Sequence, residues 1–165
     1  MKKGGMMKRF LIVLCAIILF VACDYASEST KLSPDIECVF MTPVGWYLAV
    51  GDTAATITET WFVPESSVDC YLEKLVFEYL DEDDNQFFGP DEMALYMKIE
   101  GKTNAGCCDT AILYNVSLPL LPVLDHLSPG ESAYALLHYI FVDEYWGSRY
   151  DTVTVWFGFY MFPAD

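Results

Sequence analysis

Apolar and polar side chains alternate along short runs of this chain, and turn-forming residues separate the runs. No other feature constrains the fold as much. Side chains on a strand point alternately to opposite faces, so a period of two marks a strand with one buried side. In the run 70–81, Leu75, Phe77 and Tyr79 share one face while Lys74 and Glu78 take the other. In 93–102, Leu95, Met97 and Ile99 oppose Tyr96, Lys98 and Glu100. In 110–118, Ile112, Tyr114, Val116 and Leu118 oppose Asn115 and Ser117. In 151–162, Val153, Val155, Phe157, Phe159 and Met161 oppose Thr152, Thr154, Trp156 and Tyr160. Further β-branched and aromatic runs lie at 38–50, 55–63 and 132–143. No 3.6-residue apolar stripe lasts long enough to predict a helix, and no internal repeat is visible.

About seven such strands in one domain predict an all-β, two-sheet antiparallel sandwich. Two stretches sharpen this. Leu127-Ser128-Pro129-Gly130-Glu131-Ser132 leads into an apolar strand, and Tyr79-Leu80-Asp81-Glu82-Asp83-Asp84-Asn85 closes one with an acidic turn. Both resemble turns of immunoglobulin-like bacterial envelope domains. The resemblance implies a single immunoglobulin-like β-sandwich over 35–165, a fold that hosts many functions and implies none. A small closed β-barrel is the alternative.

The start of the chain has another character. Lys2, Lys3, Lys8 and Arg9 precede an unbroken apolar run from Phe10 to Ala22. A bilayer core needs about 20 apolar residues, and this run is shorter. A basic start before a short apolar stretch predicts a secretory signal peptide over 1–22. Phe20-Val21-Ala22-Cys23 resembles the lipobox of bacterial lipoproteins, with Phe20 where Leu is usual. The resemblance implies cleavage before Cys23 and lipidation of that cysteine, with a diacylglycerol and palmitate-type acyl chains. Residues 23–34 then form the lipidated Cys and a small, polar, flexible tether. The expected location is the bacterial cell envelope, periplasmic or surface-facing, with the membrane contacted through the lipid.

Export bears on the cysteines. Beyond Cys23 there remain Cys38, Cys70, Cys107 and Cys108. An even number in an exported domain predicts disulfides, with free buried thiols as the alternative. Cys38 and Cys70 are the preferred pair, each lying near the start of a strand. No closely spaced pair of the zinc type occurs.

Charge excludes one class of partner. The part after the signal carries all 24 acids and only five bases, Lys31, Lys74, Lys98, Lys102 and Arg149, a formal balance of −19. Such a surface repels phosphate backbones, so nucleic-acid binding is excluded.

Two constellations could carry function. Asp81, Asp83, Asn85 and Glu92 stand at positions 1, 3, 5 and 12 of an EF-hand-like count and offer the oxygen ligands calcium takes. Gln86 stands where the turn glycine belongs, and a solvated hairpin loop is the competing reading. The second is aromatic. Tyr145, Trp146, Arg149 and Tyr150, between the last two strands, could stack on a sugar or anchor a protein, with Trp156 and Tyr160 extending that surface onto the sheet. Against this, Trp146 could cap the core, where Trp46 and Trp61 are also expected. His126 is expected on an exposed loop and His138 in the core. No catalytic motif appears. The chain is therefore expected to be a non-catalytic binding module for a protein or glycan, with no cofactor unless calcium. An accessory subunit of an envelope assembly is the alternative, and a hydrolase a more distant one.

Overall fold

A computed structural model describes residues 33–49, 51–102, 110–144 and 149–163. Its elements are β1 (Ile36–Thr42), β2 (Gly45–Leu48), β3 (Ala54–Pro64), β4 (Cys70–Asp81), β5 (Gln86–Ile99), β6 (Ala111–Pro119), α1 (Leu121–His126), β7 (Ser132–Asp143) and β8 (Tyr150–Met161). Two open sheets result, one ordered β1-β3-β6 and the other β2-β8-β7-β4-β5. β2 runs parallel to β8; every other pairing is antiparallel. The first strand crosses from one sheet to the other at Pro43, so the expected strand 38–50 is two shorter ones. This order, with the opening strand shared between the sheets, is that of an immunoglobulin-like sandwich. Neither sheet closes into a barrel.

The core fills the space between the sheets. β7 sends Ala133, Ala135, Leu137, Tyr139 and Phe141 inward, all buried. They meet Ala55, Ile57 and Phe62 of β3 and Val116 and Leu118 of β6 across the gap. Phe62 sits edge-on to both Tyr139 and Phe141, with ring centroids 5.0 and 5.1 Å apart. That geometry sets the positive edge of one ring against the negative face of another. The Tyr79 hydroxyl donates to the Pro119 carbonyl at 2.8 Å, tying β4 to the end of β6.

Four expectations need correction. Asn115 has a left-handed backbone, φ 56°. Below it the inward positions of β6 change parity, so Leu113 and Ala111 pack on the core while Tyr114 is exposed. β5 runs from Gln86 to Ile99 and not over the expected 93–102, because Phe87 and Phe88 extend the strand toward the acidic turn. Leu121–His126 is a short helix with a proline in its first turn, too brief to display a helical stripe. Cys38 and Cys70 are free thiols. Cys38 is the third residue of β1 and Cys70 the first of β4, in different sheets, and closeness to a strand start does not bring them together. Burial, reinforced by the charges of Asp151 and Asp69, pushes the Cys70 thiol up to about 12. Cys107 and Cys108 lie outside the described residues.

The sandwich has two dissimilar ends. At one, the Ile36 amide donates to the Asp151 carboxylate at 2.7 Å, so the chain enters the domain beside the start of β8. Asp69 accepts from the Gly101 amide at 2.8 Å there, and Lys98 bridges Asp69 and Glu144 at 3.4 and 3.2 Å. The other end carries the close of β8, the β4–β5 hairpin and α1.

Candidate functional site

On β7 and β8 the outward positions carry more aromatic and aliphatic side chains than a solvated face requires. β7 turns Tyr134, Leu136, His138, Ile140 and Val142 outward, and β8 turns Thr152, Thr154, Trp156, Gly158 and Tyr160 outward. The registers Tyr134↔Gly158 and Leu136↔Trp156 place these side by side. Tyr134 and Trp156 touch at 4.6 Å between centroids, with Trp156 58% exposed. Parallel pairing then sets Tyr47 of β2 beside Tyr160 and Gly45 beside Gly158. Tyr47 stacks on Phe162 at 5.1 Å and meets the edge of Tyr160 at 5.8 Å.

The two glycines leave the floor between these rings bare. A Cβ on Gly45 would stand 3.0 Å from the Gly158 carbonyl oxygen, so that position is held to glycine by the close approach of β2 and β8. A Cβ on Gly158 would find nothing nearer than the Val44 oxygen at 4.0 Å, in the open. The result is an open groove of about 580 Å³ whose surroundings include Val44, Tyr47, Ser132 and Tyr160.

Its rim is acidic. Ser132 also borders a second, polar hollow of about 210 Å³ with Asp81, Glu82, Asp83, His126 and Glu131. Ser132 donates to Glu82 through both its amide, at 3.1 Å, and its hydroxyl, at 2.6 Å. The Tyr134 hydroxyl donates to Asp84, and that bond, with burial second, pushes the phenol up to about 12. The described lysines make their ion pairs elsewhere: Lys74 with Glu92, Lys98 with Asp69 and Glu144, Lys102 with Glu65. Arg149 precedes β8 at the far end.

The structure divides the aromatic residues expected from sequence. Tyr145 and Trp146 lie outside the described residues. Arg149 is half-buried, and its carbonyl accepts from the Asp143 amide at 3.0 Å. Tyr150 is 71% exposed but sits at the opposite end of β8 from Tyr160. At about 3.3 Å per residue that separation is roughly 33 Å. Trp156 and Tyr160 join Tyr47 and Tyr134 in a different surface. Tyr47, Tyr134 and Phe162 escaped sequence reasoning, although Gly158 within a strand was a usable signal of close backbone approach.

The calcium quartet does not converge. Asp81 turns its carboxylate back on its own loop, accepting from the amides of Asp83 and Asn85 at 2.9 Å each. These bonds, the Asn85 amide foremost, hold its carboxyl below the usual range despite some desolvation. Glu92 pairs with Lys74 at 2.7 Å on the next strand. Among the described residues no group of three or more potential ligands is poised for a metal.

His138 belongs outside the core. Its parity is opposite to Leu137 and Tyr139, and its Nδ1 lies 2.9 Å from the Thr154 hydroxyl. Its Nε2 is 3.8 Å from Glu78. His126 is exposed, as expected, and stacks on Phe87 at 3.9 Å. Trp46 packs against the core and donates to Asp52 at 3.1 Å. Trp61 is only half-buried; it donates to Glu59 at 2.9 Å and meets the half-exposed Phe40.

No protein-family model matches the chain, and no curated protein sequence matches it. Two solved structures are similar in fold. One, described only as Northeast Structural Genomics Consortium target SoR45, shares 10% identity at a TM-score of 0.43 and covers 79% of this chain and 85% of that one. The other, the periplasmic chaperone SfaE, shares 4% identity at a TM-score of 0.39, over 79% of this chain and 59% of the chaperone. Similarity this remote does not bring a function with it.

Proposed function

We propose that this chain is a lipid-anchored protein of the bacterial cell envelope whose sandwich is a non-catalytic binding module for a protein or glycan. Cys23 carries the lipid, and residues 23–34 are the tether. The observation that supports binding is the groove lined by Val44, Tyr47 and Tyr160 and floored by Gly45 and Gly158, with the Tyr134–Trp156 pair beside it on the same face. Exposed rings around a bare backbone floor give a partner large apolar contact at little cost in side-chain entropy. The groove also lies at the end of the sandwich remote from Ile36.

Fractionation of the native host tests the anchor. Cys23→Ser abolishes acylation and moves the protein out of the membrane fraction. Unchanged partitioning, with no acyl mass on the mature N-terminus, rules the anchor out. The binding role is tested by Tyr47→Ala, at an exposed ring that lines the groove, which weakens partner binding by about 2 kcal/mol or more. Equal binding by parent and variant rules the groove out.

A second reading, an accessory subunit of an envelope assembly, draws on Leu136, Ile140 and Val142. These put an apolar stripe on the outer side of the central strand β7. A subunit that covers this stripe dissociates when Ile140 is made Lys, whereas a groove-bound ligand stays.

A further inference from the structure

The groove and its rim differ in chemistry, and together they select an occupant. We infer that the groove receives a basic segment of a partner polypeptide, seating one aromatic or aliphatic side chain between the rings and its flanking Lys or Arg residues on the acidic rim. This rests on the binding-module reading and specifies it.

Charge complementarity carries the choice. Ser132 lies on both the groove and the polar hollow beside it. Glu82 is bound to Ser132, Glu131 lies beyond it, and Asp84 is bound to Tyr134. Every one of these carboxylates is bonded to neutral donors: Glu131, for instance, accepts from the Ser128 amide at 2.7 Å. Neutral donors leave the negative charge standing. The described lysines and Arg149 lie too far off to offset it. By strand register Lys74 lies opposite Ile140, in mid-sheet, and Lys98 opposite Tyr71, toward the far end. Lys102 is held to Ser66 there, and Arg149 precedes β8. A cationic segment gains from this field, and an anionic polymer is repelled by it. A neutral glycan would use the rings but gain nothing from the acids.

The floor offers a clean probe. Gly158 faces the groove, and a Cβ there meets only the Val44 carbonyl oxygen, at 4.0 Å. Gly158→Val therefore fills the groove without changing its charge. Random dodecapeptides displayed on phage are selected on the acylated mature protein in neutral phosphatidylcholine nanodiscs. A neutral-glycan array is probed with the same particles. The expected result is enrichment of peptides with Lys or Arg flanking Trp, Phe or Leu. Those peptides, made synthetically, should bind Gly158→Val at least tenfold more weakly. Glu82→Gln and Glu131→Gln should each weaken binding by about threefold to tenfold, with less salt dependence, as loss of a rim charge does. Tyr150→Ala at the other end should bind as the parent does.

Enriched basic peptides that bind Gly158→Val as tightly as the parent would mean adhesion to acidic surface at large, and overturn the inference. So would selection that yields no basic consensus. A glycan bound by the parent and lost in Gly158→Val overturns the polypeptide occupant while leaving the binding module standing. Should Gly158→Val melt well below the parent, Val44→Ser, on the exposed rim, takes its place with the same outcomes.

Discussion

Two sets of aromatic rings on the same strands serve opposite ends. Tyr139, Phe141, Phe157 and Phe159 face inward on β7 and β8 and are fully or almost fully buried. Tyr134, Trp156 and Tyr160 occupy the alternate positions and face outward. In the inner set Tyr139 and Phe141 close against Phe62 from the other sheet; in the outer set Tyr160 meets Tyr47 and Phe162, and Trp156 meets Tyr134, all on one face of a single sheet. Parity alone decides whether a ring on these strands holds the sandwich together or stays available to a partner. Stability and binding should therefore separate by residue.

The largest effect belongs to the inner set. Phe62→Ala removes the ring shared by Tyr139 and Phe141 and should cost about 3–5 kcal/mol, cavity included. Calorimetry or denaturant titration checks this, and a loss under 1 kcal/mol would unseat the core described above. The two floor glycines come next. Gly45→Ala forces β2 away from the Gly158 carbonyl and should cost about 1–3 kcal/mol, the usual range for overpacking. Gly158→Ala should cost no more than about 1 kcal/mol. If both melt alike, the close approach of β2 and β8 is not what the structure indicates. Trp156→Ala, in the outer set, should change stability by less than about 1 kcal/mol.

The charged end yields a smaller, pH-dependent effect. The Gly101 amide, opposed by partial desolvation and helped by Lys98, holds the Asp69 carboxyl below its ordinary value of 3.8. A carboxyl depressed in the folded state stabilises the fold above its unfolded value and loses that contribution as pH falls through the folded one. Urea midpoints should thus fall as pH drops below about 3.8, and Asp69→Asn should remove part of that fall. An identical acid profile in the variant would show that Asp69 does not contribute.

The same parity explains what the sequence disclosed. The limits of β4 and β7 were legible to the residue, because each run is long and bounded by turn formers. The inner face of β8 was legible throughout, and with it the outward places of Trp156 and Tyr160. On β7, however, both faces are apolar, so His138, the polar residue in its middle, was read as part of the core. On β6 the left-handed Asn115 reversed parity, and a pattern of strict alternation cannot register such a reversal. The groove was only half visible. Tyr47 comes to Tyr160 through a parallel pairing between residues 113 apart in the chain, and no local period reports that. The acidic turn was visible as a cluster, but hydrogen bonds inside the hairpin turn Asp81 inward, and Lys74 on β4 claims Glu92.

The most direct test places a photoreactive benzoylphenylalanine at one of two exposed aromatic positions in the native host. One is Trp156, beside the groove; the other is Tyr114, 57% exposed on the smaller sheet. Irradiation should give a discrete polypeptide adduct from position 156 that Gly158→Val abolishes, and none from position 114. No adduct at 156, or the same adducts from both positions, would contradict the claim that the outward rings of β2, β7 and β8 form the binding surface.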